Sequence, residues 1–164
     1  MTKILLSLHV LAAIVAVGPV TVAASMFPAA ARRVPVVATV GGADGAAAGD
    51  AGGVGTVRLL HRICRVYAGL GIAVPVLGFA TAAAMGVLSD AWLVASITLT
   101  AVAAGLLAAF VLPRQEELLE ELADGRPVER ARTARLAMFT GVFNLLWATV
   151  TVLMIVRPGS TTGA

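Results

Sequence analysis

The stretch "RLLHRICRVYAGLGIAVPVLGFATAAAMGV", residues 58–87, decides the fold. Its first turns carry Arg58, His61, Arg62 and Arg65. The rest, Val66–Val87, carries no charge. A helix rises 1.5 Å per residue, so about 20 apolar residues cross a hydrocarbon core ~30 Å thick. This run is long enough to span a membrane and has a basic entry.

Three more uncharged runs of that length lie around it: Ile4–Phe27, Trp92–Leu112 and Leu136–Val156. The chain has 164 residues, 59% hydrophobic and 13% charged. Soluble domains carry about 25% charged residues, so the composition excludes a water-facing exterior. The expected fold is an all-α, four-transmembrane-helix bundle forming one membrane domain over residues 1–164. The formal charge of +3 does not point to nucleic acid, because no aromatics are interleaved with the basic residues to stack on bases. Cys64 is the only cysteine, so there is no intramolecular disulfide. Eleven of the twelve basic residues are arginine and alanine is abundant, a mix that suggests a bacterial source.

The basic residues set an orientation. Arg32, Arg33, Arg58, Arg62 and Arg65 fall between the first two runs. Arg114, Arg126, Arg130, Arg132 and Arg135 fall between the last two. The positive-inside rule places both connections in the cytoplasm, with both termini and the "SDA" turn outside. A multi-pass protein of the bacterial cytoplasmic membrane follows. The alternative is a cleaved signal peptide, with "MTK" as its basic start and "VAAS" as its cleavage site. Against it, the first apolar run exceeds the usual 7–15 residues, and cleavage would leave Arg32, Arg33 and the Arg58 cluster outside.

The two connections differ in kind. Residues 41–55, "GGADGAAAGDAGGVG", bury too little apolar surface to offset their ordering entropy and are expected to form a flexible linker. Residues 113–135 repeat leucine at helical spacing (Leu118, Leu119, Leu122) among acidic residues, and "DGRP" signals a turn. Helices three and four are therefore expected to extend into the cytoplasm as a helical hairpin. Glu117, Glu120 and Glu121 can pair there with Arg130 or Arg132, at little net gain in water.

Small residues recur on single faces. They are His9, Ala12, Ala16, Pro19 and Ala23 in the first helix, and Ala68, Gly71, Pro75, Gly78 and Ala82 in the second. The third carries Ala101, Gly105 and Ala109, and the fourth Thr140, Asn144, Ala148 and Thr151. Such faces let backbones approach closely in lipid. Pro19 and Pro75 are expected to kink their helices. Asn144, near mid-bilayer, needs an interhelical hydrogen bond, with Ser96 and Thr100 as candidate partners.

Chemistry is sparse. No acidic residue lies within a span, and no catalytic set or metal-ligand pattern is visible, so no catalytic or metal-binding residue is assigned. The absence of intramembrane carboxylates argues against proton-coupled transport. His9 lies about 7–8 Å into the first helix from the outer side. His61 sits on the cytoplasmic side, so one haem cannot be held by both. Arg58, His61, Arg62 and Arg65 fall at i, i+3, i+4 and i+7, on one helical face. That face reads first as an anchor on anionic headgroups, worth about 1 kcal/mol per charge, and second as a site for an anionic ligand group.

The segments "SLHVLAAIVAVGP" (7–19), "GFATAAAMG" (78–86), "DAWLVASI" (90–97) and "MIVRPG" (154–159) together resemble a bacterial family of predicted integral membrane proteins, domain of unknown function 2269. The layout is more distantly similar to the HemJ protoporphyrinogen oxidases and the CopD copper-resistance proteins. The HemJ resemblance implies haem b with His9 as an axial ligand. The scattered Met26, Met85, Met138 and Met154 do not form the soft cluster that copper needs. The leading expectation is a non-catalytic membrane protein or accessory subunit without a cofactor. Its expected partners are the anionic bilayer and a membrane protein or a second copy. The alternative is a haem b oxidoreductase built on His9.

Overall fold

A computed structural model describes residues 2–34 and 46–159. Among them the protein is all-α. Six helices are present: α1 (Thr2–Ala31), α2 (Ala46–Leu70), α3 (Ala73–Met85), α4 (Ala91–Leu106), α5 (Leu112–Ala123) and α6 (Arg130–Val156). A π-helical turn, Leu107–Val111, joins α4 to α5. The successive helices merge into four spans long and apolar enough to cross a membrane: Thr2–Ala31, Gly52–Met85, Ala91–Ala123 and Arg130–Val156.

The surface is that of a body bathed in hydrocarbon. Ile4, Leu11, Ile14, Ile72, Leu145 and Ile155 are all more than half exposed, whereas Ala16, Ala23, Ala24, Ala31 and Ala103 are buried. Many large apolar side chains face out, and alanines fill much of the interior around α1. In lipid the apolar side chain gains little by hiding, so close backbone approach selects the interior.

α1 is the central element. It packs on α2 and α3 along one side and on α6 along the other. α4 packs on α6, and α2 on α5. Val34, just past α1, touches Gly53 in α2, while His9 near the start of α1 meets Val74 in α3. The two run antiparallel. Met154 and Val87 pack on the cluster of Ala82, Trp92 and Leu93, so the start of α1, the 86–90 turn and the end of α6 share one end of the bundle. Ten of the twelve basic residues lie toward the other end; only Lys3 and Arg157 do not.

Proline explains the two irregular spans. Pro75 has no N–H and its ring would strike the carbonyl of Gly71 in a regular helix. The chain opens there: α2 ends at Leu70, α3 starts at Ala73, and the Gly71 carbonyl accepts instead from Val74 N at 3.1 Å. The expected kink is thus a turn between two helices. Pro113 acts in the same way on the π turn, where Leu112 N reaches back five residues to Leu107 O. The wider turn lets the helix continue past proline to Ala123. α1, by contrast, is one helix through both Pro19 and Pro28.

Two helices end on glycine in the left-handed region. Gly86 has φ 70° and Gly125 φ 69°. In each case the following amide bonds five residues back, Val87 N to Ala82 O and Arg126 N to Glu121 O, a closure that a Cβ would strain. The second is the turn announced by "DGRP".

Three expectations need correction. The linker expected over 41–55 is helical from Ala46 onward; residues 41–45 lie outside the described residues. Glycine and alanine there simply prolong the helix that packing from Val54 and Val57 onward anchors. The small row Ala101, Gly105 and Ala109 faces outward rather than into the bundle; α4 buries Trp92, Leu93, Ser96 and Ala103 instead. On α6, Ala148 and Thr151 are exposed, and the buried face runs through Thr133, Leu136, Thr140, Phe143 and Val150.

Candidate functional site

The basic face of α2 divides in two. Arg58, Arg62 and Arg65 are exposed, whereas His61 is buried together with Val57, Leu60 and Cys64. α5 packs on α2 at this level and captures the imidazole. His61 Nδ1 lies 3.2 Å from Gln115 Oε1. An amide oxygen only accepts, so Nδ1 carries the proton and His61 donates. The Gln115 Nε2 group donates to Cys64 Sγ at 3.6 Å. Gln115 is wholly buried. The two bonds engage both ends of the buried Gln115 amide, as buried polar groups require. Sequence reasoning did not single out Gln115 or pair it with Cys64. The available signal was spacing: Gln115 shares a helical face with Leu118 and Leu122, both buried.

His9 is also buried, 8% exposed. Its Nδ1–H donates to Val74 O at 3.0 Å. The ring lies against the backbone of Gly78: a Cβ at that position would sit 2.8 Å from His9 Cε1. A glycine is required there for the imidazole to fit. Val74 and His61 are thirteen residues apart, so the two histidines are separated by roughly 20 Å along the second span.

Asn144 bonds to an unexpected partner. Its Nδ2 donates to Ser25 Oγ in α1 at 3.1 Å. Ser96 and Thr100 instead return their hydroxyls to their own helix, to Trp92 O at 2.8 Å and Ser96 O at 2.7 Å. α6 turns its Thr140–Asn144 face to α1 rather than to α4, which explains the change. The Thr140 hydroxyl and the Asn144 carbonyl oxygen have no partner.

At the arginine-rich end, Arg132 bridges Glu117, at 2.7 Å, and Glu121. Arg126 pairs with Asp124 at 3.0 Å. The Arg114 guanidinium lies over the Phe139 ring, 5.6 Å from its centre, and Phe139 stacks on Phe110. At the opposite end Trp92 donates to Asp90 Oδ2 at 2.9 Å beneath the Arg157 guanidinium.

Between α3 and α4, which meet at Ala82, Trp92 and Leu93, lies an apolar cleft of about 170 Å³. α1 forms its floor with Ala16 and Val20. Ala68, Val74, Ala103 and Trp147 form its walls. Ile72 and Ala104 on its rims are exposed, so the cleft opens sideways.

A haem on His9 needs a free ring nitrogen and a flat space beside it. The Nδ1–H bond to a carbonyl is the orientation an axial histidine uses, leaving Nε2 to coordinate. Space is the difficulty. The ring is packed on Gly78, His9 does not line the cleft, and the cleft is smaller than the ~300–1,000 Å³ of ordinary ligand pockets. The residues present do not fit a haem in this arrangement. Among the described residues no three His, Cys, Asp or Glu side chains come together as a metal-ligand group. Comparison with protein families, with curated proteins and with solved structures found no match.

Proposed function

We propose that the chain is a non-catalytic, multi-pass protein of a bacterial cytoplasmic membrane that acts as an accessory subunit. In this reading the arginine-rich end lies in the cytoplasm, and both termini face out. The observation that carries it is the outward row of Ala101 and Gly105 on α4 and Ala109 in the π turn, where a Cβ added to Gly105 would meet nothing within 4 Å. Small residues one turn apart allow another transmembrane helix to approach at backbone distance. The buried polar side chains support the same reading, since most are bonded to one another or to backbone rather than aimed at a shared cavity.

A photoreactive amino acid at position 105, in native membranes, tests the proposal. The expected result is an adduct with one membrane polypeptide, a second copy included, and none from position 145, which is also exposed. Equal labelling from both positions, or from neither, sinks it.

The second reading, a haem b oxidoreductase, is favoured by the His9 Nδ1–H bond to Val74 O and opposed by the packing of the ring. Protein made with ample haem distinguishes the two. A stoichiometric Soret band lost in His9→Ala and kept in His61→Ala supports the haem reading; its absence supports the accessory one.

A further inference from the structure

We propose that the arginine face of α2 and the cleft above it form one binding site for an anionic glycerophospholipid, with its headgroup on Arg62 and Arg65 and one acyl chain in the cleft. This deepens the membrane reading and does not depend on whether the protein is catalytic.

The two features lie on one line. Arg65 and Ala68 stand at i and i+3 on α2, and Ala68 lines the cleft, so the exposed arginine row leads directly to the cleft wall. The distances suit a lipid. Ala68 and Pro75, both lining the cleft, are about 10 Å apart along the span, the depth of the upper part of an acyl chain below its headgroup. Charge points the same way. At this end Arg132 and Arg126 are paired with carboxylates and Arg114 is engaged by Phe139, but among the described residues no carboxylate meets Arg62 or Arg65. Basic side chains exposed at a leaflet surface draw anionic headgroups. The cleft wall is apolar and faces sideways, where acyl chains are the surrounding medium. A helix is about 10–12 Å wide with its side chains, too broad for a cleft of about 170 Å³. His61 takes no part, because it is turned away toward Gln115.

Trp147 lines the cleft and is one of two tryptophans, which makes occupancy readable. In the Trp92→Phe protein, Trp147 fluorescence is followed in vesicles containing phosphatidylglycerol or phosphatidylcholine brominated in the acyl chains. Should Trp92→Phe misfold, the difference between the parent and Trp147→Phe reports the same signal. The expected result is half-maximal quenching at an order-of-magnitude lower mole fraction of the anionic lipid, as two surface arginines imply. Arg62→Gln with Arg65→Gln should abolish that preference, and lysine at both positions should keep it. Equal quenching of the parent by the two lipids overturns the headgroup assignment. Absence of quenching, with a second copy cross-linked across the cleft, replaces the lipid with a homodimer and overturns the proposal. A Soret band would overturn the accessory reading and leave the quenching result unchanged.

Discussion

His9 illustrates how a single polar side chain is tolerated in the span. Its ring is enclosed by α3 because position 78 has no side chain, and its Nδ1–H is satisfied by Val74 O. Gly78→Ala places a methyl group 2.8 Å from the ring, so α1 and α3 must separate or the imidazole must leave its carbonyl. A loss of about 1–3 kcal/mol is expected from overpacking of this size, read as a lower melting temperature in detergent. A variant as stable as the parent would show that the ring moves freely. Asn144 makes one interhelical bond, to Ser25, and leaves its carbonyl oxygen without a partner. Interhelical hydrogen bonds in membranes average about 0.6 kcal/mol, and removing Asn144 also removes an orphaned acceptor. Asn144→Leu is expected to change stability by less than about 1 kcal/mol in thermal denaturation, and Ser25→Ala to have no further effect on top of it. A large loss in either would assign this pair more than helix packing.

At the scale of elements, proline decides the shape of two spans. Pro75 separates α2 from α3 at Gly71–Ile72, and the open side of the bundle lies beside that break. Pro75→Ala returns the missing donor to the Gly71 carbonyl. Pro75 sits in the first turn of α3, where its missing N–H is tolerated, so a change in stability of no more than about 1 kcal/mol is expected, together with weaker quenching of Trp147 as α3 straightens. A drop in melting temperature with quenching unchanged would show that packing, not proline, imposes the break. The ion pairs of Arg132 with Glu117 and Glu121 hold α6 to α5. They are partly exposed, and exposed pairs contribute about 0–1 kcal/mol. Arg132→Gln should lower stability within that range, and the difference should shrink in high salt.

For the whole molecule the leading feature is polarity. The helices pack α2 on α5 at the arginine-rich end, part between α3 and α4 at the level of Gly71–Pro75 and Thr100–Leu107, and close again where Ala82 meets Trp92 and Leu93. In the proposed orientation the arginine-rich end is cytoplasmic. In a Cys64→Ser background, Ser89→Cys in the 86–90 turn should react with a membrane-impermeant maleimide on intact cells. Asp124→Cys in the 124–129 turn should react only after permeabilisation. The reverse pattern would invert the protein in its membrane and place the arginine face in the outer leaflet.

Span number, span length and charge asymmetry were legible in the sequence because each depends on a single segment's composition. An apolar run of 20 residues crosses a bilayer whatever its neighbours do, and arginines cluster in the connections whether or not they pair. The turn at Gly125, signalled by "DGRP", was likewise local, set by glycine's freedom at positive φ. Which face of a helix points inward was not legible. Lipid and protein interior are equally apolar, so hydrophobicity does not mark the buried side of a transmembrane helix. Ala101, Gly105 and Ala109 had the right spacing for an interior face, yet only the docking of α4 on α6 turned them outward. The partners of His61, Cys64 and Asn144 lie on other helices, dozens of residues away, and nothing in the local sequence selects Gln115 or Ser25. The arginine row was visible as a row in the sequence. That it leads into a cleft was decided only by the break before Pro75 and the separation of α3 from α4, which are properties of the assembled bundle.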